Sequence, residues 1–298
     1  MGDSNRDIRV TLPSGLCIAG SIWAGQDDRL PVVLLHGGGQ TRRAWRHTAR
    51  RVAEAGYPAY TFDARGHGES DWASDGDYSL DAFVADLQFL LTTIDQPPVL
   101  VGASLGGTTS ILAEHDTPGL TSGIVLADVA FEPHPDGKQR IYDFLNANLD
   151  GFDTIEEAAA AITGYNAAER RETGGNLDGL KRSLRQTADG RWHWHWDPRF
   201  ARTSDGELLD HTDPARMRRA APTIKPPVLV VRGDRSDVVS ETEAEEMAST
   251  FPHARAVAVD SGHMITGDDN HVFSAELLHF LAVLWPSSRN RLDGQAPS

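Results

Sequence analysis

The sequence predicts an α/β fold, in which a mostly parallel central sheet is flanked by helices and a helical cap is inserted between two of its strands. Three observations carry this. Short apolar runs alternate with helix-length segments, the pattern of βαβ units. Those runs, such as Val32–Leu35, are continuously apolar, as strands covered on both faces require. One long segment, residues 131–220, breaks the rhythm and offers helical patterns instead of buried strands.

Residues 8–23 read as two strands around a Pro13-Ser14-Gly15 turn. Val32–Leu35 is bounded by Pro31 and by His36-Gly37-Gly38-Gly39. Residues 44–55 carry apolar positions at helical spacing and stop at Gly56. Ala59–Phe62 is the next strand, followed by Asp63-Ala64-Arg65-Gly66-His67-Gly68. Ser79 caps a helix with Leu80, Phe83, Val84, Leu87 and Leu91 on one side. Residues 99–101, 124–126, 228–231 and 256–259 complete the series of strands. Within the interrupting segment, residues 141–149 and 155–165 are helical, and Trp192-His193-Trp194-His195-Trp196 is an aromatic run. A bare loop of that length is not expected in a compact domain. The segment is therefore assigned as a cap over the strand ends. The expected division is residues 1–130 and 221–286 as core, 131–220 as cap and 287–298 as a disordered tail.

The chain has 298 residues, with 28 Lys plus Arg against 43 Asp plus Glu, a formal charge of −15. That balance argues against nucleic acid as a partner, because phosphate binding needs a concentrated positive field. Cys17 is the only cysteine, which rules out an intramolecular disulfide and Cys-rich zinc sites. The polar start at residues 1–6 lacks a signal-peptide pattern, and no apolar run approaches the ~20 residues of a membrane span. The expectation is a cytoplasmic enzyme that does not bind membranes, with a homo-oligomer left open.

The chemistry concentrates at strand ends. Gly102-Ala103-Ser104-Leu105-Gly106 joins a strand to a helix, the pattern of a nucleophile elbow. Small residues on either side let strand and helix approach closely, so the turn projects the Ser104 hydroxyl from the sheet edge. The amide of Leu105 and one from the glycine loop, Gly38 by preference, are candidates for binding an oxyanion. A serine needs a base. His263 follows the last strand and reaches the same sheet end, whereas His271 and His279 belong to the C-terminal helix. His36 and His67 lie in glycine loops and are expected to brace them. The base needs an orienting carboxylate. Asp237 is preferred, with Asp128 and Asp234 as alternatives that also follow strands.

Together, the strand order, His36-Gly37-Gly38, the Asp63 to Gly68 run, the Ser104 elbow and Gly262-His263 resemble the α/β-hydrolase fold superfamily over about residues 8–285. The resemblance implies that nucleophile, acid and base are Ser104, Asp237 and His263, with Gly38 and Leu105 amides for the oxyanion. In related sequences the acid follows either of two strands, so Asp128 stays open. A serine nucleophile speaks against the haloalkane dehalogenases and soluble epoxide hydrolases of the superfamily, which use aspartate there.

Trp194, with Trp192 and Trp196, is a candidate pocket wall, with cap packing as the plain alternative. A metal on His193 and His195 is the sharper alternative, disfavoured because two histidines rarely suffice. Trp45 follows the glycine loop and is a further pocket candidate. Arg42, Arg43, Arg46, Arg50 and Arg51 form a basic helix face, expected to be solvated. The expected activity is hydrolysis of a small carboxylic ester or related acyl compound through an acyl-enzyme, with no cofactor and no metal. A lactonase, a carbon–carbon bond hydrolase, a cofactor-free perhydrolase or a non-catalytic ligand receptor would use the same scaffold.

Overall fold

The structure is a computed structural model that describes residues 5–167, 184–202, 209–263, 265 and 271–285. The residues assigned to the disordered tail lie outside this set.

The chain opens with a hairpin, β1 (Asn5–Thr11) and β2 (Cys17–Trp23), paired antiparallel with Val10 opposite Ile18. Gly15 at φ 89° lets the chain reverse, a conformation that costs glycine little. β3 (Val32–Leu35), α1 (Arg46–Glu54), β4 (Ala59–Phe62), α2 (Leu80–Leu91), β5 (Val99–Ala103), α3 (Leu105–Asp116) and β6 (Gly123–Ala127) follow. After the insertion come β9 (Val228–Gly233), α7 (Glu241–Thr250), β10 (Ala254–Val259) and α8 (His271–Leu284). The sheet order is β1-β2-β4-β3-β5-β6-β9-β10, and only the β2 pairings are antiparallel.

The period of two along the strands distributes side chains to two layers. Val33, Leu100, Ile124 and Leu126 pack with α2, α3 and α7 on one face. Val32, Leu34, Val99, Val101 and Val125 pack with α1 and α8 on the other. Both layers are closed to water, which accounts for the unbroken apolar runs.

The insertion holds α4 (Pro135–Asn146), α5 (Ile155–Ala167), a short hairpin β7 (Leu184–Gln186) and β8 (Trp192–Trp194), and α6 (Pro214–Ala220). α4 starts earlier than the apolar pattern suggested, because His134 caps it and Pro135 suits its first turn. Phe152, Trp194, Trp196 and Phe200 from the insertion pack with Tyr78, Phe83 and Leu105 of the core in a third apolar cluster. The strand order reverses between β3 and β5, so the glycine loop and Ser104 meet at the carboxyl ends of these strands. Such a switch point is where open α/β sheets bind ligands.

Candidate active site

Ser104 sits between β5 and α3 at φ 44°, a left-handed conformation that L-residues avoid. The close approach that makes this turn is visible in its glycines. A Cβ on Gly102 would stand 2.4 Å from the carbonyl carbon of Gly106, and one on Gly106 would stand 2.6 Å from the Leu35 carbonyl oxygen. On Gly37 it would reach 3.4 Å from the Ser104 Cβ, so the glycine loop abuts the serine.

His263 Nδ1 lies 2.7 Å from Asp128 Oδ2. Asp128 is 1% exposed and accepts from the Gly233 amide at 2.9 Å and the Ser236 hydroxyl at 2.6 Å. Ser236 Oγ in turn accepts from the amides of Val238 and Val239 at 3.1 Å, which anchors the β9–α7 turn around the carboxylate. A bond to a carboxylate requires the proton on Nδ1, and in the neutral ring that tautomer leaves the lone pair on Nε2.

Asp237, the preferred acid from sequence, is elsewhere. Its half-exposed carboxylate accepts from Arg140 Nε at 2.8 Å and Nη2 at 2.7 Å. Asp234 accepts from the Ser261 amide and pairs with Arg235. The orienting carboxylate on His263 is therefore Asp128. The β9–α7 turn faces Ser236, not Asp237, toward the imidazole.

Ser104, Asp128 and His263 all line a cavity of about 110 Å³, together with Gly38 and Leu105. Among the described residues, the amides of Gly38 and Leu105 donate to no protein acceptor. Two of the aromatic candidates do not reach this cavity. Trp45 is fully buried against Phe273 of α8, with ring centroids 5.5 Å apart. Trp194 stacks on Trp196 at 4.8 Å and donates to the Ala147 carbonyl, so it packs inside the insertion. The apolar wall comes instead from Ile141 and Leu145 of α4, with Val129 and Phe200. The spacing of Ile141 and Leu145 was visible in the sequence, but not that this face turns onto the site.

Three histidines hold the loops around the serine. His36 donates to the Gly37 carbonyl and accepts from the Ala64 amide. His67 donates to the Arg65 carbonyl and accepts from the Gly39 amide. His195, from the insertion, accepts from the Gly68 amide at 3.1 Å. Burial depresses all three, His195 to about 4, so each is neutral and can accept a backbone proton. His195 thus serves the backbone, and among the described residues no group of three or more His, Cys, Asp or Glu is arranged to hold a metal ion. Arg42 departs from the expected solvated face. It is 3% exposed and pairs with buried Asp63 and with Glu69.

The alpha/beta hydrolase fold family matches residues 31–270, and the chain belongs to it. It is similar to an esterase from Mycobacterium tuberculosis, 28% identical over 257 residues that span 83% of this chain and 80% of the esterase. A non-heme chloroperoxidase from Kitasatospora aureofaciens is also 28% identical, over 84% of this chain and 92% of its own. The crystal structure of an alpha/beta hydrolase from Novosphingobium aromaticivorans superposes with a TM-score of 0.77 at 27% identity, covering 96% of this chain and all of that one. Among the described residues, no helix is long and apolar enough to cross a membrane.

Proposed function

We propose that the protein is a serine hydrolase that cleaves a small carboxylic ester or related acyl compound, with Ser104, His263 and Asp128 as its triad. One observation carries the reading: the His263–Asp128 bond lies in the same cavity as a serine at positive φ and two amides without protein acceptors. The similarity to an esterase supports the same class.

In this mechanism His263 Nε2 takes the Ser104 proton as Oγ attacks the ester carbonyl. The amides of Gly38 and Leu105 stabilise the oxyanion, and the dipole at the start of α3 adds to that field. His263 then protonates the departing alcohol. Water, deprotonated by the same nitrogen, cleaves the acyl-enzyme and Ser104 is restored. Asp128 fixes the tautomer throughout and stabilises the imidazolium.

The test is labelling with a fluorophosphonate followed by intact mass measurement. Wild type should gain one adduct and Ser104→Ala none. An unlabelled wild type, or equal labelling of the variant, removes the proposal.

A further inference from the structure

The cavity has two chemically different ends. Leu145 of α4 lies by the glycine loop, where a Cβ on Gly39 would stand 2.5 Å from its Cδ2. Ile141 and Lys138 lie on the same helical face and also line the cavity. Lys138 is two turns from Leu145, about 10 Å along the axis. The cavity therefore starts apolar beside the oxyanion loop and ends at an ammonium group.

That far end is an organised cluster. Lys138 Nζ donates to Asp210 Oδ2 at 2.8 Å and to Thr212 Oγ1 at 3.1 Å. The Tyr142 hydroxyl donates to Asp210 Oδ1 at 3.0 Å. Burial would raise the Asp210 carboxyl, but the bonds from Lys138, Thr212 and Tyr142 outweigh it and hold the group at about 2. The charge on Lys138 is thus already matched. Among the described residues two of its three N–H donors are used, and one remains. His211 also lines the cavity. Its Nε2 donates to the Phe200 carbonyl at 2.7 Å, and its ring stacks on Phe200. Burial lowers its pKa, so the neutral ring keeps Nδ1 as an acceptor.

We propose that Lys138 and His211 form a subsite for an uncharged hydroxyl carried on the acyl chain, remote from the scissile carbonyl. A hydroxyl both accepts and donates, which matches one spare ammonium proton and one bare imidazole nitrogen. A methyl end would leave that one proton and that one nitrogen without a partner, and a site that hydrogen-bonds a hydroxyl disfavours the analogue lacking it. A carboxylate end would gain little from Lys138, because Asp210 already sits on it and repels a second anion. The inference rests on the serine hydrolase reading, since the acyl chain is placed by attachment at Ser104.

The test uses p-nitrophenyl phosphonates whose phosphorus carries a hexyl, 6-hydroxyhexyl or 5-carboxypentyl chain. Ser104 Oγ displaces p-nitrophenolate from phosphorus, so labelling rates compare the chains without requiring turnover. The hydroxylated chain should react on the order of tenfold faster than the plain one, the worth of a hydrogen bond to a charged group. The carboxylate should show no such gain. In Lys138→Met, which leaves only the His211 acceptor, the hydroxyl-to-plain ratio should fall several-fold. In Asp210→Asn, where Lys138 is no longer matched, the carboxylate-to-plain ratio should rise. Equal wild-type rates for the hydroxylated and plain chains, or a preference that Lys138→Met leaves undiminished, overturn this inference alone. Failure of all three reagents to label Ser104 overturns the serine hydrolase reading, and this one with it.

Discussion

Replacing Asp128 by Asn separates the two carboxylates that the sequence left in competition. Asp128 stands at φ 52°, a conformation that Asn tolerates, so the fold should survive. The change acts on the imidazole. One carboxylate oxygen receives the Gly233 amide and the other receives the Ser236 hydroxyl and His263 Nδ1. With Asn, the side-chain oxygen stays on the Gly233 amide and the NH₂ turns to His263. Nδ1 must then accept, and the ring proton moves to Nε2, the atom that takes the Ser104 proton in the proposed mechanism. A triad held in that wrong tautomer loses on the order of 10⁴ in kcat. At 1.36 kcal/mol per tenfold this is about 5 kcal/mol of barrier. Asp237→Asn removes only an exposed pair with Arg140, worth at most about 1 kcal/mol, and should keep kcat within about threefold. Initial rates on p-nitrophenyl butyrate, with thermal melts of both variants as fold controls, decide between them. A larger loss in Asp237→Asn, or an Asp128→Asn enzyme within tenfold of wild type, would mean that Asp128 does not set the His263 tautomer.

Three further outcomes follow from packing and burial. Gly106→Ala should lower the melting temperature, by a destabilisation of about 1–3 kcal/mol, because its Cβ would meet the Leu35 carbonyl oxygen at 2.6 Å. Asp86→Ala should cost about 3–5 kcal/mol in urea unfolding, since it strands the buried Arg65 guanidinium that Asp86 grips at 2.5 and 2.6 Å. His195 titrates near 4 when folded and near 6.5 when unfolded, so the unfolded chain binds the extra proton between these values. Its contribution is complete above pH 6.5, falls as the pH drops toward 4, and amounts to about 3 kcal/mol. His36 and His67, depressed in the same direction, steepen that loss. A flat urea midpoint between pH 7 and pH 5 would contradict this.

The sheet and the elbow were legible because their signals are local. Turn glycines, unbroken apolar runs and the spacing around Ser104 describe geometry within a few residues. The bracing by His36 and His67 was legible for the same reason. The acid was not. Asp128 and Asp237 both follow strands, and the choice depends on how the β9–α7 turn lies. That turn presents Ser236 inward and leaves Asp237 to Arg140, a partner from the distant α4. The tryptophans misled because size alone marks a residue as wall or core equally well. Trp45 packs beneath α8 and Trp194 inside the insertion, through contacts with Phe273 and Trp196 that no spacing reveals. The run of arginines hid Arg42 for a related reason, since its partners Asp63 and Glu69 come from the loop after β4.

The position of Asp128 bears on how such enzymes can be recombined. The chain leaves β6 through this residue and enters α4 at Pro135, and Val129, Ala130 and Pro133 on the way line the cavity. The His134 amide ties that short connector to the Val238 carbonyl at 2.9 Å. The carboxylate on His263 and part of the cavity wall are therefore one covalent run and are inherited together. A chimera joined at residue 129 exchanges the support of the carboxylate along with the cap. One joined at Pro135 keeps that support, with Val129, Ala130 and Pro133 of the cavity wall, and exchanges only the share of the lining that the insertion contributes, which makes Pro135 the natural seam for varying that share between relatives.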